Sequence, residues 1–274
     1  MFLITGSKGQ LGTELSKLLP QAVLTDVEQL DITNEAAVKK YVCEHNIDTI
    51  INCAAYTAVD KAEDDKELAS KINIDGPRNL ALSGAKVVHI STDYVFDGTG
   101  HIPYQPEDMA TPVSVYGQTK LAGEQEVLQH TKEAIIIRTA WLYSPYGNNF
   151  VKTMRRLGKE KESLNVVADQ IGTPTYAADL ALAIVKILPQ INAQNKGVYH
   201  FTDEGVCSWY DFARKIMELS GLKCKVNPIP SSAYPTKATR PHYSVLDKNK
   251  IKNTFGIEIP HWEESLKECL KILD

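Results

Sequence analysis

The run Gly6-Ser7-Lys8-Gly9-Gln10-Leu11-Gly12 joins a short apolar stretch, Phe2-Leu3-Ile4, to a helical pattern of leucines from Gln10 to Leu19. Glycines at such a junction permit a tight strand-to-helix turn, close approach of backbone to a bound group, and close helix packing. A helix starting there aims free N–H groups at whatever approaches, which suits a pyrophosphate. Gly6, Gly9, Gln10, Leu11 and Gly12 are therefore candidate dinucleotide contacts. Asp26 follows Gly6 by twenty residues, at the end of the second apolar run. A carboxylate at that point accepts hydrogen bonds from an adenosine ribose. Glu28, not Arg or Lys, stands just beyond it, which favours NADH over NADPH. Asp31 and Ile32 are placed to flank the adenine, and Ala54, Ala55 and Tyr56 to pass under the cofactor.

The rest of the first half repeats the same grammar. Short apolar runs at Ala22–Leu24, Thr49–Ile51, Val87–Ile90 and Ala134–Ile137 alternate with helical patterns at Asn34–His45, Asp65–Ser83 and Val113–Thr131. Continuously apolar strands between helices predict a parallel sheet covered on both faces. The expected fold is α/β, a Rossmann-type doubly wound parallel sheet with a smaller mixed α+β substrate lobe. Prolines become frequent after about residue 144. This places a cofactor-binding domain at 1–144 and mainly the substrate lobe at 145–274, with the apolar helix at 176–190 returning to the sheet. Further helices are expected at Ser208–Ser220 and Trp262–Leu273, and a long functional loop at Pro228–Pro241.

Tyr116 and Lys120 lie one helical turn apart, and no other Tyr in the chain has a Lys four residues later. Free tyrosine titrates at about 10. An ammonium about 4 Å away, at an effective dielectric of about 20, is worth about 4 kcal/mol. On that reading Lys120 draws the Tyr116 phenol toward neutrality, where acid–base chemistry is efficient. Thr92 and Asp93 end the strand at Val87–Ile90 in Ser91-Thr92-Asp93-Tyr94-Val95-Phe96-Asp97-Gly98. Ligands of doubly wound sheets bind beyond the carboxyl ends of strands. A Thr92 hydroxyl there can hydrogen-bond a substrate carbonyl, with Asp93 reaching substrate.

The chain has 274 residues and a net charge of −4, with no long basic run. That argues against nucleic acid or an anionic membrane as partner. The five cysteines are scattered, without a C-x-x-C, and read as reduced thiols of a cytoplasmic protein. The apolar stretch at the start is too short for a signal or membrane-spanning segment.

Together these residues resemble the extended short-chain dehydrogenase/reductases, whose catalytic set is Ser/Thr, Tyr and Lys. Ala58-Val59-Asp60-Lys61-Ala62-Glu63, the Ser91–Gly98 run, Val115–Glu124 and Arg240-Pro241 are similar to the dTDP-4-dehydrorhamnose reductase family over almost the full length. The resemblance implies NADH- or NADPH-dependent reduction of the C4 ketone of dTDP-4-dehydro-L-rhamnose. Tyr116 would donate the proton, Thr92 would hydrogen-bond the same oxygen, and Lys120 would hold the nicotinamide ribose. Asn73 would support this set. Trp141 would lie against the sugar, with Asn149 and Arg240 as nucleotide contacts. Some members are magnesium-bridged dimers. Glu14 matches one of their acidic positions, but Ala178 stands at the other, so no metal is expected and the chain is read as a monomer or homodimer. Another nucleotide-sugar reductase or epimerase of the same fold, or a non-catalytic regulatory subunit, remains open. A 4,6-dehydratase would need a Glu where Tyr94 follows Asp93.

Overall fold

A computed structural model describes residues 1–273. Six parallel strands form the main sheet, in the order Gly197–His200, Ala134–Thr139, Lys86–Thr92, Thr49–Asn52, Phe2–Thr5, Val23–Thr25. Chain order reverses between Phe2–Thr5 and Thr49–Asn52, and a crevice opens beyond the carboxyl ends of strands at such a reversal. Every residue of Thr49–Asn52 and Ala134–Thr139 is buried, as expected for strands covered on both faces.

Helices Gln10–Leu18 and Ala177–Ile187 pack against each other on one face of the sheet, through Leu11, Leu15, Leu180 and Ile184. Each such side chain, fully removed from water, contributes about 1.5–3 kcal/mol. The later half of the chain thus returns to the sheet twice, by this helix and by Gly197–His200. That last strand, short and begun by a glycine, carried too weak an apolar run to be expected. Helix Glu35–Glu44 and the 66–81 segment cover the opposite face, around Val38, Val42 and Leu80.

The helix expected over Asp65–Ser83 is not continuous. It runs as Lys66–Ser70, a π turn at Lys71–Asp75, and Gly76–Ala81. The π turn carries Asn73 inward, and such turns cluster at functional sites. The expected loop at Pro228–Pro241 also begins inside a strand, Lys225–Ile229, which pairs with Ser163–Val167. Two more strand pairs, Leu142–Tyr143 with Thr175–Tyr176 and Ile171–Gly172 with Cys207–Ser208, complete the smaller lobe. Its core gathers Tyr143, Phe212, Ile216, Trp262 and Leu266. Among the described residues no helix is long and apolar enough to cross a membrane.

Candidate active site

A cleft of about 690 Å³ opens at the strand reversal. Gly6 sits at φ +63°, and a Cβ there would lie 2.7 Å from Ala54 N. A Cβ on Gly12 would lie 2.4 Å from Gly6 O. Side chains at either position would fill the cradle. Gly9 caps helix Gln10–Leu18 without any side-chain hydrogen bond, so the first N–H groups of that helix stay available to an anion. Gly6, Gly9, Gln10, Leu11, Gly12, Asp26, Asp31, Ile32, Ala54 and Ala55 all line this cleft.

Asp26 follows the Val23–Thr25 strand, and its carboxylate accepts the backbone N–H of Lys8 at 3.1 Å. The Lys8 ammonium is paired with Glu28 at 2.7 Å. Asp31 accepts the Thr33 hydroxyl at 2.7 Å and the Thr33 N–H at 2.9 Å, and the hydroxyl bond does most to hold its pKa below the usual carboxylate range. Tyr56 is the expected cofactor residue that does not line the cleft. Its backbone is clamped by Asn73, which accepts Tyr56 N–H at 2.9 Å and donates to Tyr56 O at 3.1 Å. Its side chain packs with Val115 and Tyr116. Room shaped by glycines, free N–H groups and a carboxylate at the second strand end fit a nicotinamide dinucleotide.

Ser114 caps helix Val115–His130 by accepting Gly117 N–H at 3.1 Å, and Glu63 accepts Val115 N–H at 2.9 Å. This helix presents Tyr116 and Lys120 to the cleft, opposite Thr92 at the end of Lys86–Thr92. One expectation is corrected here. Burial pushes the Tyr116 phenol above its ordinary pKa, and the group that opposes this is the Thr92 hydroxyl, not Lys120. Lys120 turns toward the strand, donating to Ile90 O at 2.6 Å, with Nζ 3.4 Å from His89 Nε2. Its ammonium is itself disfavoured by burial, which brings Lys120 down to about 8 against the opposing pull of Glu124 and Cys53. A buried phenol that stays protonated is still a competent donor, because an alkoxide is a far stronger base.

Thr92 donates to Asp93 Oδ1 at 3.0 Å and accepts Tyr94 N–H at 3.2 Å. Burial raises Asp93 to about 6, partly offset by the hydroxyls of Ser244 and Thr92. Trp141 lines the cleft at φ +50°, an uncommon conformation for a bulky residue, with its ring stacked on Trp209 at 3.6 Å between centroids. Gly172 makes room for that indole, since a Cβ there would lie 2.8 Å from the ring.

Two expected contacts are employed elsewhere. Asn149 caps helix Phe150–Glu160 and donates to Ser144 O at 2.7 Å and Gln10 Oε1 at 2.9 Å, while its neighbours Gly147 and Asn148 line the cleft. Arg240 donates to Asp60 Oδ2 at 2.5 Å and to the Tyr94 hydroxyl at 3.0 Å, and faces a separate pocket. Sequence reasoning missed Asn52 and His89, which lie under Lys120. Their one sequence mark is polarity inside apolar strands.

Residues 1–274 match the family model described as RmlD substrate binding domain. The chain is 42% identical over 286 residues to a dTDP-4-dehydrorhamnose reductase of Aggregatibacter actinomycetemcomitans, spanning 97% of this chain and 96% of that one. A solved dTDP-4-dehydrorhamnose reductase from Clostridium acetobutylicum superposes with a TM-score of 0.96 at 48% identity, over 99% of each chain. The corresponding enzyme of Bacillus anthracis, solved in complex with NADP, gives a TM-score of 0.94 at 44% identity, over 99% of this chain and 98% of that one.

Proposed function

The chain belongs to the RmlD substrate-binding-domain family, and on that premise we propose that it reduces the C4 ketone of dTDP-4-dehydro-L-rhamnose to dTDP-L-rhamnose. The observation that carries this reading is the geometry of the cleft: the half-buried Tyr116 phenol and the Thr92 hydroxyl both line it, together with the glycine cradle.

Bound in the cleft, NADH or NADPH supplies the hydride. Gly6, Gly9, Gln10, Leu11 and Gly12 would hold its pyrophosphate with backbone donors, Asp26 would hold its adenosine ribose, and Asp31 with Ile32 would flank its adenine. Ala54 and Ala55 would keep the floor low, and Lys120 would hold the nicotinamide ribose. Tyr116 gives its proton to the substrate oxygen as negative charge develops there. Thr92 steadies that oxygen and the phenol through hydroxyl hydrogen bonds. Asp93 and Trp141 orient the sugar, Asp93 by its carboxyl and Trp141 by its indole face. The lobe at 1–144, joined by 176–190, carries the cofactor, and the remainder mainly closes over the sugar nucleotide. The protein works in the cytoplasm as a monomer or homodimer. Tyr94, which stands where a dehydratase would need its acidic residue, bonds Arg240 and adds no second acid–base group.

The test is loss of reduced-nicotinamide absorbance with dTDP-4-dehydro-L-rhamnose, run with NADH and with NADPH. Turnover with NADH at least equal to that with NADPH supports both the activity and the role of Asp26. Binding of both ligands without turnover overturns the activity, and a strong NADPH preference overturns the Asp26 assignment.

A further inference from the structure

Gln10 opens the helix Gln10–Leu18 and lines the cleft, yet its side chain is bonded to the segment that leads into the smaller lobe. Asn149 fixes the polarity of those bonds. Its Oδ1 accepts Lys152 N–H at 3.1 Å and its Nδ2 donates to Ser144 O at 2.7 Å, so backbone groups hold both ends of the amide. Nδ2 also donates to Gln10 at 2.9 Å, which makes the facing Gln10 atom the oxygen. The fully buried Ser144 hydroxyl donates to the same oxygen at 3.1 Å. The Gln10 amide nitrogen is then turned to Leu142 O, to which it donates at 3.4 Å. Gly147, at φ +61°, backs onto the Gln10 stem, where a Cβ would lie 3.4 Å from Cγ. A glutamate would lose the donor to Leu142 O, and a carboxylate at the helix start would repel a pyrophosphate.

The segment so held forms a wall of the cleft, through Trp141, Leu142, Gly147 and Asn148. The carbonyl that Gln10 binds belongs to the residue directly after Trp141, whose backbone lies at φ +50°. A bulky residue stays in that region only where its surroundings over-determine it. A second contact between helix and segment is separate and exposed: Lys17 donates to the Tyr146 hydroxyl and pairs with Glu14 at 2.9 Å. We propose that Gln10 is a positioning residue for the sugar nucleotide: its backbone serves the dinucleotide, while its side chain holds the Trp141–Asn149 segment at the cleft wall. The identity of that ligand rests on the reductase reading above.

Two measurements on the whole protein test this. One is steady-state kinetics with dTDP-4-dehydro-L-rhamnose and NADH. The other is amide hydrogen exchange over 142–149, with the buried strand Ala134–Thr139 as internal reference. Gln10→Leu keeps the backbone N–H and loses the side-chain bonds. KM for the sugar nucleotide should rise about tenfold, equal to about 1.4 kcal/mol, with KM for NADH within about twofold. The 142–149 segment should exchange about tenfold faster against an unchanged reference strand. Lys17→Ala should leave both KM values as they are. An unmoved sugar-nucleotide KM overturns the proposal, and so does a matching rise for NADH or the same rise in Lys17→Ala. Unaltered exchange over 142–149 overturns it whatever the kinetics show. Should the parent bind substrate without turning it over, the reductase reading alone fails, and affinity for dTDP takes the place of KM in the same comparison.

Discussion

Tyr116 is a group whose surroundings oppose its ionisation, and in the proposed reaction its part is to give a proton. Replacing it with Phe removes that proton and little else, since the ring still packs with Val115 and Tyr56. General acid catalysis is worth about 10²–10⁴-fold, so Tyr116→Phe should lower kcat by that factor while leaving NADH affinity, read by fluorescence titration, within about twofold. Near-normal turnover would remove Tyr116 from its role. Asp93 carries a pH signature. Burial holds its carboxyl at about 6, above the unfolded value of about 3.9. The folded state therefore binds the proton more tightly, and this contribution is complete below about pH 4 and lost as pH rises through about 6. About 3 kcal/mol is at stake, to order of magnitude. Urea unfolding should show Asp93→Asn gaining on the parent between pH 4 and pH 8, and an equal difference at both pH values would rule this out. At this scale the sequence was legible where short spacing fixes neighbours: Tyr116 and Lys120, one turn apart, both line the cleft, though Lys120 does not lower the phenol pKa as expected. It was opaque where a side chain's partner is remote: Arg240 is occupied by Asp60, 180 positions away.

The glycines and the interrupted helix carry the argument at the scale of elements. The strand, turn and helix around Gly6–Gly12 could be read directly, because each glycine answers a local steric demand. The π turn could not, because its cause is tertiary. It brings the Asn73 carbonyl so close to helix Val115–His130 that a Cβ on Gly123 would lie 2.1 Å from that oxygen. Asn73 also donates to Thr119 at 3.1 Å and clamps Tyr56. Gly123→Ala must push the catalytic helix away, so a loss of about 1–3 kcal/mol in denaturant unfolding is expected, with reduced turnover. Unchanged stability would mean the two helices separate freely. Gly12→Ala should instead weaken NADH binding, since its Cβ would collide with Gly6 O and narrow the pyrophosphate cradle.

Over the whole molecule, two lobes meet across the cleft and are joined by named polar contacts. Asp60 accepts the Arg240 guanidinium and, at 3.0 Å, the Ala238 N–H, while Lys237 pairs with Asp64. These tie the Pro230–Pro241 stretch of the smaller lobe to the residues just after the third strand. Asp60→Ala should make that stretch more readily cut by protease, with a small change in Tm because the ion pair is partly exposed. Unaltered cleavage would show that the tie does not hold the segment. The doubly wound class was readable from alternating apolar runs. The strand Gly197–His200 and the return of Ala177–Ile187 depend on packing between distant halves, which no local pattern encodes completely. The central claim, hydride reduction at C4 with Tyr116 supplying the proton, is tested most directly by one labelling measurement. With NADH deuterated at its transferable hydrogen and dTDP-4-dehydro-L-rhamnose as substrate, the product should be dTDP-L-rhamnose bearing deuterium at C4, formed far more slowly by Tyr116→Phe. Substrate bound but recovered without deuterium at C4 would contradict the account.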